Sequence, residues 1–207
     1  VIDGLGRTYK CDSVLTGLAS GTTLRNMTLD FSGVSTASAK YIYAAGTASA
    51  TQTLSANLAV DAVTVSVPST ASFVEEGWAW LQSTAVWSSA DGTYFGQYVK
   101  VKSVDSGTQL TLYQGPIMAF NTADAATIKQ ITTVANVEFH SVHIIGSGAN
   151  TQTGIHLYLA EECLVANTCS VTFADYVGVN LARSVNCKAQ PTVKHARAIG
   201  LAYGIVI

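Results

Sequence analysis

Glu138 and Glu162 lie 24 residues apart, and one further step of 24 reaches Asn186. Two carboxyl groups held at short range are what glycoside hydrolysis requires, about 5–5.5 Å apart for retention of configuration and roughly 6.5–9.5 Å for inversion. If residues 24 apart stack on neighbouring strands, Glu138, Glu162 and Asn186 form a surface ladder. Stacked carboxylates repel, so one of them keeps its proton and becomes a candidate general acid. Apolar residues around Phe139 also fit a frame one or two places off, and the competing reading is a set of solvated glutamates near a turn. Asp175, next to Tyr176, is a third candidate acid, or else a turn aspartate capping its own backbone.

Other side chains offer different chemistry. Alternation along a strand would put His140 and His143 on opposite faces, His156 has no acidic neighbour on its face, and His195 follows strand-like Val193, so the histidines make no metal set. No cofactor motif is present either. Sugar binding uses aromatic faces with polar edges. Trp78 and Trp80 share a face by alternation and are expected in a core, whereas Trp87 and Tyr94, around the loop SSADGTY, are the expected carbohydrate-contact residues.

The elements that must position these residues repeat. GIHLYLAEECLV begins at Gly154 and GVNLARSVNCKA at Gly178, each with alternating apolar residues, and a third copy opens at Gly204 where the chain stops. Short period-2 runs on a period in the low twenties predict stacked turns of a parallel β-solenoid, the alternative being a β-sandwich with a chance repeat. Cys163 and Cys187, again 24 apart, are then expected as stacked interior thiols. In-register strands give poor disulfide geometry, and Cys11 and Cys169 show no metal spacing with them.

Towards the N-terminus, LRNMTLDFSG at Leu24–Gly33 matches FHSVHIIGSG at Phe139–Gly148, with apolar residues at the first, fourth and sixth places of both. Related strands that far apart imply an insertion. The intervening residues begin with a Ser/Thr/Ala-rich stretch and continue as short alternating runs such as Val63–Val67, Tyr98–Val104 and Gln109–Tyr113, separated by Glu76-Gly77, Asp91-Gly92, Ser106-Gly107 and Gly115-Pro116. That grammar predicts a small antiparallel barrel or sandwich. The expected division is 1–33 for the first solenoid turns, 34–133 for the insert, and 134–207 for the turns that follow. An uncapped end at Ile207 predicts a piece of a longer polypeptide.

Composition narrows the classes. Hydrophobic residues make up 48% of the 207, but charged residues only 12%, about half the usual share near 25%. Thr, Ser, Asn, Gln and Gly must therefore carry the surface, which suits a sugar-facing or subunit-facing β protein. A net charge of −2 provides no basic field for nucleic acid. No apolar run approaches the 18 or so residues of a membrane span, and no signal peptide is visible.

GLGRTYK, LRNMTLDFSG, and strands of the form NVEFHSVHI and GVNLARSVNC resemble the pectate-lyase-like right-handed parallel β-helix, and more narrowly bacteriophage tailspike and tail-fibre proteins of that fold. The run from SANLAVDAVTVSVPSTASFVEEGWAWLQS through GQYVKVKSV and GTQLTLYQGP to ADAATIKQI resembles the small β-domain that interrupts many of them, with Gly77-Trp78 where the family pattern has Gly-Asp. The resemblance implies a homotrimer on a virion tail, contacting tail or baseplate proteins and binding or depolymerising bacterial capsule or lipopolysaccharide. A non-enzymatic adhesin or structural tail component, and a secreted polysaccharide lyase or epimerase, are the other functions compatible with it. Sparse Lys and Arg disfavour the lyase. Neither the calcium-binding aspartate cluster of pectate lyases nor the signatures of polygalacturonases are present.

Overall fold

The computed structural model describes residues 1–88, 93–148, 152–174, 176–194 and 205–206, with side chains outside 86–95 and 205–206. Among them there is no α-helix, only one 3-10 turn at Thr122–Asp124; everything else regular is strand. The chain divides into two compact units, Val1–Gly46 with Thr133–Ile207, and Thr47–Thr132.

The first unit opens with β1 (Ile2–Lys10), β2 (Leu15–Thr16), β3 (Thr23–Asp30) and β4 (Lys40–Ala45). The second contains β5 (Thr47–Ala48), β6 (Gln52–Thr53), β7 (Thr64–Ser66), β8 (Trp78–Ser88), β9 (Thr93–Ser106), β10 (Gln109–Leu112) and β11 (Thr127–Thr132). The first unit then resumes with β12 (Val134–Ala135), β13 (Glu138–Ile145), β14 (Thr153–Tyr158), β15 (Ala160–Glu161), β16 (Leu164–Val165), β17 (Ser170–Thr172), β18 (Val177–Ala182), β19 (Lys188–Ala189), β20 (Thr192–Lys194) and β21 (Ile205–Val206).

Every pairing in the first unit is parallel. One sheet runs β1-β3-β13-β16-β19, with β17 and β20 continuing the far end of β13. A second runs β2-β4-β14-β18-β21, and β12 pairs β15 in a third. Each pass of the chain therefore adds a strand to the first sheet and then one to the second. Parallel pairing puts equivalent residues in columns: Leu24, Phe139, Val165 and Ala189 form one, and Leu29, Ile144, Val171 and Val193 another. Across the second sheet Ile42, Ile155 and Val179 align, followed by Ala44, Leu157 and Leu181. All but the terminal Ala189 and Val193 are buried. A fully buried residue such as Phe139 contributes about 1.5–3 kcal/mol over leaving it in water.

The offset of 24 holds where it was read, with Ile155 opposite Val179 and Leu164 opposite Lys188. The match of Leu24–Gly33 to Phe139–Gly148 holds as well, since Leu24, Met27 and Leu29 face Phe139, Val142 and Ile144. Cys163 and Cys187 stack, the Cys163 amide donating to Cys187 Sγ at 3.4 Å, and all four thiols are free. The Cys163 thiol is pushed up, first by its hydrogen bond with Cys187 and then by burial, which leaves it unreactive. One boundary differs. Residues 34–46 group with the parallel unit, because Tyr41, Ile42 and Ala44 inside the Ser/Thr/Ala-rich stretch are wholly buried and β4 pairs with β14.

The second unit is antiparallel throughout. Its pairing path, β5-β11-β8-β9-β10-β7, is open at both ends, so it is not a closed barrel. The long β9 serves β8 with its first half and β10 with its second. Ala79, Leu81, Val99, Val101, Leu110, Phe120 and Ile128 make its core.

Close passage of neighbouring strands gives a direct test. A Cβ on Gly154 would stand 2.5 Å from both the Gly178 carbonyl oxygen and Val171 Cγ1. Gly154→Ala is expected to cost about 1–3 kcal/mol through forced backbone displacement, whereas Gly33→Ala, with nothing within 4 Å, stays within about 0.5 kcal/mol. Urea titration of both variants checks this, and equal midpoints would refute the packing.

Candidate functional site

The expected glutamate ladder is not formed. Glu138 pairs with Thr23 on one side and Leu164 on the other. Glu162 instead follows Glu161, which aligns with Ala135 before it and Val185 after it. Its column is therefore Asn136–Glu162–Asn186, and all three adopt left-handed backbone, with φ of 55°, 52° and 53°. The reason is one longer turn: the earlier pass is offset by 26 residues, from Val134 to Ala160, while the later pass is offset by 24. Glu138 Oε2 lies 3.1 Å from His140 Nε2, both side chains near 40% exposed. Asp175 lies outside the described residues, as do the side chains of Trp87 and Tyr94. Their backbones belong to β8 and β9 rather than to a loop.

Two outward faces of the parallel unit gather functional side chains. On the first sheet, Asn26 and Ser141 are left-handed (φ 54° and 52°) in the middle of β3 and β13. Each kink interrupts alternation, so His140 and His143 both face outward instead of occupying opposite faces. Thr8, Thr28, His143, Ser170 and Thr192 then form one polar column across five strands. His143 Nδ1 lies 2.9 Å from Ser170 Oγ. Beside it lies a groove of about 420 Å³ whose lining includes Asp3, Leu5, Asn26, Thr28, Ser141 and His143. Asp3 accepts from the Leu5 amide at 2.9 Å and from Arg25 Nε at 2.8 Å. Those bonds, the Leu5 amide foremost, hold its carboxyl below the usual range, so it is an anchored acceptor and not a proton donor. The face offers neutral hydrogen bonds in a row, which is the chemistry of hydroxyl recognition.

On the second sheet, Tyr43, His156 and Asn180 align outward, and Tyr158 stands in the next column between Ala45 and Ala182. The rings of Tyr43 and His156 meet edge to face at 5.3 Å, and those of His156 and Tyr158 at 6.2 Å. Lys40 Nζ lies 4.3 Å from the Tyr43 ring centre, and Arg183 Nη1 donates to Tyr158 Oη at 3.1 Å. A groove of about 470 Å³, whose lining includes Asp12, Thr16, Ser38, Lys40 and Tyr43, opens beside this row.

In the second unit Ala79, Leu81 and Ser83 alternate as buried residues along β8. Trp78 and Trp80 consequently take the opposite face, half-buried, with Tyr98 against them at 6.1 Å and 4.9 Å; they do not form the core. Among the described residues no group of three or more His, Cys, Asp or Glu could hold a metal ion. No helix among them is long and apolar enough to cross a membrane.

No protein-family model matches the chain, and no curated protein matches it. Solved structures do. The gp54 tailspike of Acinetobacter baumannii bacteriophage AP22, in complex with A. baumannii capsular saccharide, is 15% identical over 96% of this chain and 33% of its own, with a TM-score of 0.68. Gp61, the tailspike of Pseudomonas phage phi297, is 14% identical over 90% of this chain and 38% of its own, at 0.66. The gp49 tailspike of Pseudomonas phage LKA1 is 18% identical over 89% and 29%, at 0.60. The chain thus has a tailspike-like fold. It spans about a third of the length of each of these proteins.

His156 allows a test of the second face. Burial, and to a lesser degree the Lys40 charge, lower it from 6.5 to about 4. The unfolded imidazole takes its proton near pH 6.5, so between there and about 4 the unfolded chain binds more protons than the folded one. The contribution to stability is complete above that window and is lost as pH falls through it. The urea midpoint is expected to drop more between pH 7.5 and 4.5 in the parent than in His156→Gln. Equal drops would count against a buried, neutral imidazole.

Proposed function

We propose that the chain is a segment of a homotrimeric bacteriophage tail protein that recognises a bacterial surface polysaccharide, capsule or lipopolysaccharide, on the virion. In this reading the parallel unit is a right-handed β-helix and residues 47–132 are its inserted antiparallel domain. The observation that carries it is the likeness, across 96% of the chain, to a tailspike bound to capsular saccharide. The surface chemistry supports it, because outward columns of Thr, His and Ser and a row of aromatic rings suit hydroxyl-rich, ring-shaped ligands. Recognition is favoured over cleavage by this segment, since Glu138 and Glu162 stand in different columns and Glu162 occupies a corner between two asparagines.

Full-length protein is expected to run as a trimer in SDS before boiling and to retain host polysaccharide on a column. Glu138→Gln and Glu162→Gln should each leave that affinity within about twofold, as for charges at a solvated rim. A monomer that retains no polysaccharide would overturn the proposal. Release of shortened chains, abolished by either substitution, would instead restore the glutamate pair as a depolymerising site.

A further inference from the structure

We propose that the outward face of the second parallel sheet is a subsite for an acidic saccharide, with a uronic acid ring lying against the row of Tyr43 and Tyr158 and its carboxylate reaching Lys40 at one end of it. The inference rests on the saccharide-recognition reading and adds to it a place and a ligand class.

Three observations carry it. First, aromatic rings stand on outward positions of adjacent strands, where the interior columns have no use for them. Tyr158 sits between Ala45 and Ala182, so the paired positions on both adjoining strands carry only small side chains. Second, both ends of the row carry positive charge. Lys40 lies over Tyr43 and Arg183 over Tyr158, with Cζ 5.8 Å from the ring centre. This chain has only 11 Lys and Arg in 207 residues. Arg25 is neutralised by Asp3 and Lys100 by Glu76; among the described residues Lys40, like most of the other Lys and Arg, has no carboxylate within 4 Å, and it lies over a ring. Third, the 470 Å³ groove runs up to Lys40 and Tyr43 with Thr16, Thr36 and Ser38 along it, and Asp12 as its one acidic lining residue. Neutral His156 between the tyrosines adds a third ring without a competing charge. A sugar ring presents apolar C–H groups to aromatic faces and hydroxyls to the groove, and a carboxylate would complete the one charge the face leaves unmatched.

The test uses full-length protein and a panel of capsular polysaccharides containing glucuronate or galacturonate, each in native and carboxyl-reduced form. Carboxyl reduction turns the uronic acid into a neutral sugar without changing the chain. Native polymer is expected to bind at least about tenfold tighter than reduced polymer, a difference of about 1.4 kcal/mol. Lys40→Gln should erase that preference by weakening the native polymer more than the reduced one, and Tyr158→Leu should weaken both forms. Equal binding of the two forms by the parent protein overturns the acidic subsite but leaves saccharide recognition standing. Absence of binding to any polymer in either form overturns recognition itself. If Lys40→Gln or Tyr158→Leu lowers the oligomeric state by light scattering, the face is a contact between copies of this chain and the subsite is refuted.

Discussion

Parallel, in-register pairing is the constraint from which the rest of the first unit follows. Strands spaced about 4.8 Å apart by their hydrogen bonds place each residue directly against its counterpart one pass away. A column is then either inside or outside along its length, and one misfit is felt by both neighbours. Leu24, Phe139 and Val165 form an interior column, as do Ile42, Ile155 and Val179, and none contains a charge. A buried unpaired charge there would cost several kcal/mol. Low charge content and small residues at close passages, such as Gly154 beneath Gly178, are consequences of the same geometry.

Corners are the second requirement, and they are made by single left-handed residues in register. Leu159 and Arg183 form one such set, and Asn136, Glu162 and Asn186 another. Left-handed backbone costs an ordinary L-residue about 1–2 kcal/mol, less for Asn, whose short side chain bonds locally. Asn at two of three positions in the second set fits that cost. The same conformation at Asn26 and Ser141, inside strands, does something different. It tilts the outward face into a groove and brings Thr28 and His143 to its rim. Corner chemistry thus builds both the fold and the concavity.

Much of this was legible from residues alone. The 24-residue repeat and the Leu24/Phe139 correspondence survive because both concern interior apolar positions, whose pattern is imposed by burial. Positions outside carry no such imposed pattern. Extrapolating 24 backwards to Glu138 ignored the longer earlier turn, and turns vary because nothing packs against their length. Alternation predicts opposite faces for His140 and His143, and a left-handed Ser141 breaks it without any change in hydropathy. Lys40–Ala45 is hidden because Ser/Thr/Ala-rich stretches flank it on both sides and imitate a low-complexity linker. In the insert, Trp78 and Trp80 looked like core because they are the largest apolar residues. Ala79 and Leu81 belong to that core instead, in one cluster with Val99, Val101 and Ile128.

The outward rows were illegible for a related reason. Tyr43, His156 and Asn180 come from three separate passes, 113 and 24 residues apart, and no local pattern links them until register is known. Yet register alone is enough to expose them. Once Leu24 is set against Phe139 and Gly154 against Gly178, the outside columns can be read off beside the inside ones. Two of the chain's few cations, Lys40 and Arg183, stand there over aromatic rings. Held against a ring, a cation loses part of its hydration and is ordered before any ligand arrives, so less entropy remains to be lost on binding. A polysaccharide is itself a repeating chain, and a surface whose side chains recur at the strand spacing meets it with contacts at regular intervals. Stacking that serves burial on the inside therefore supplies, on the outside, the periodic surface that the proposed recognition needs.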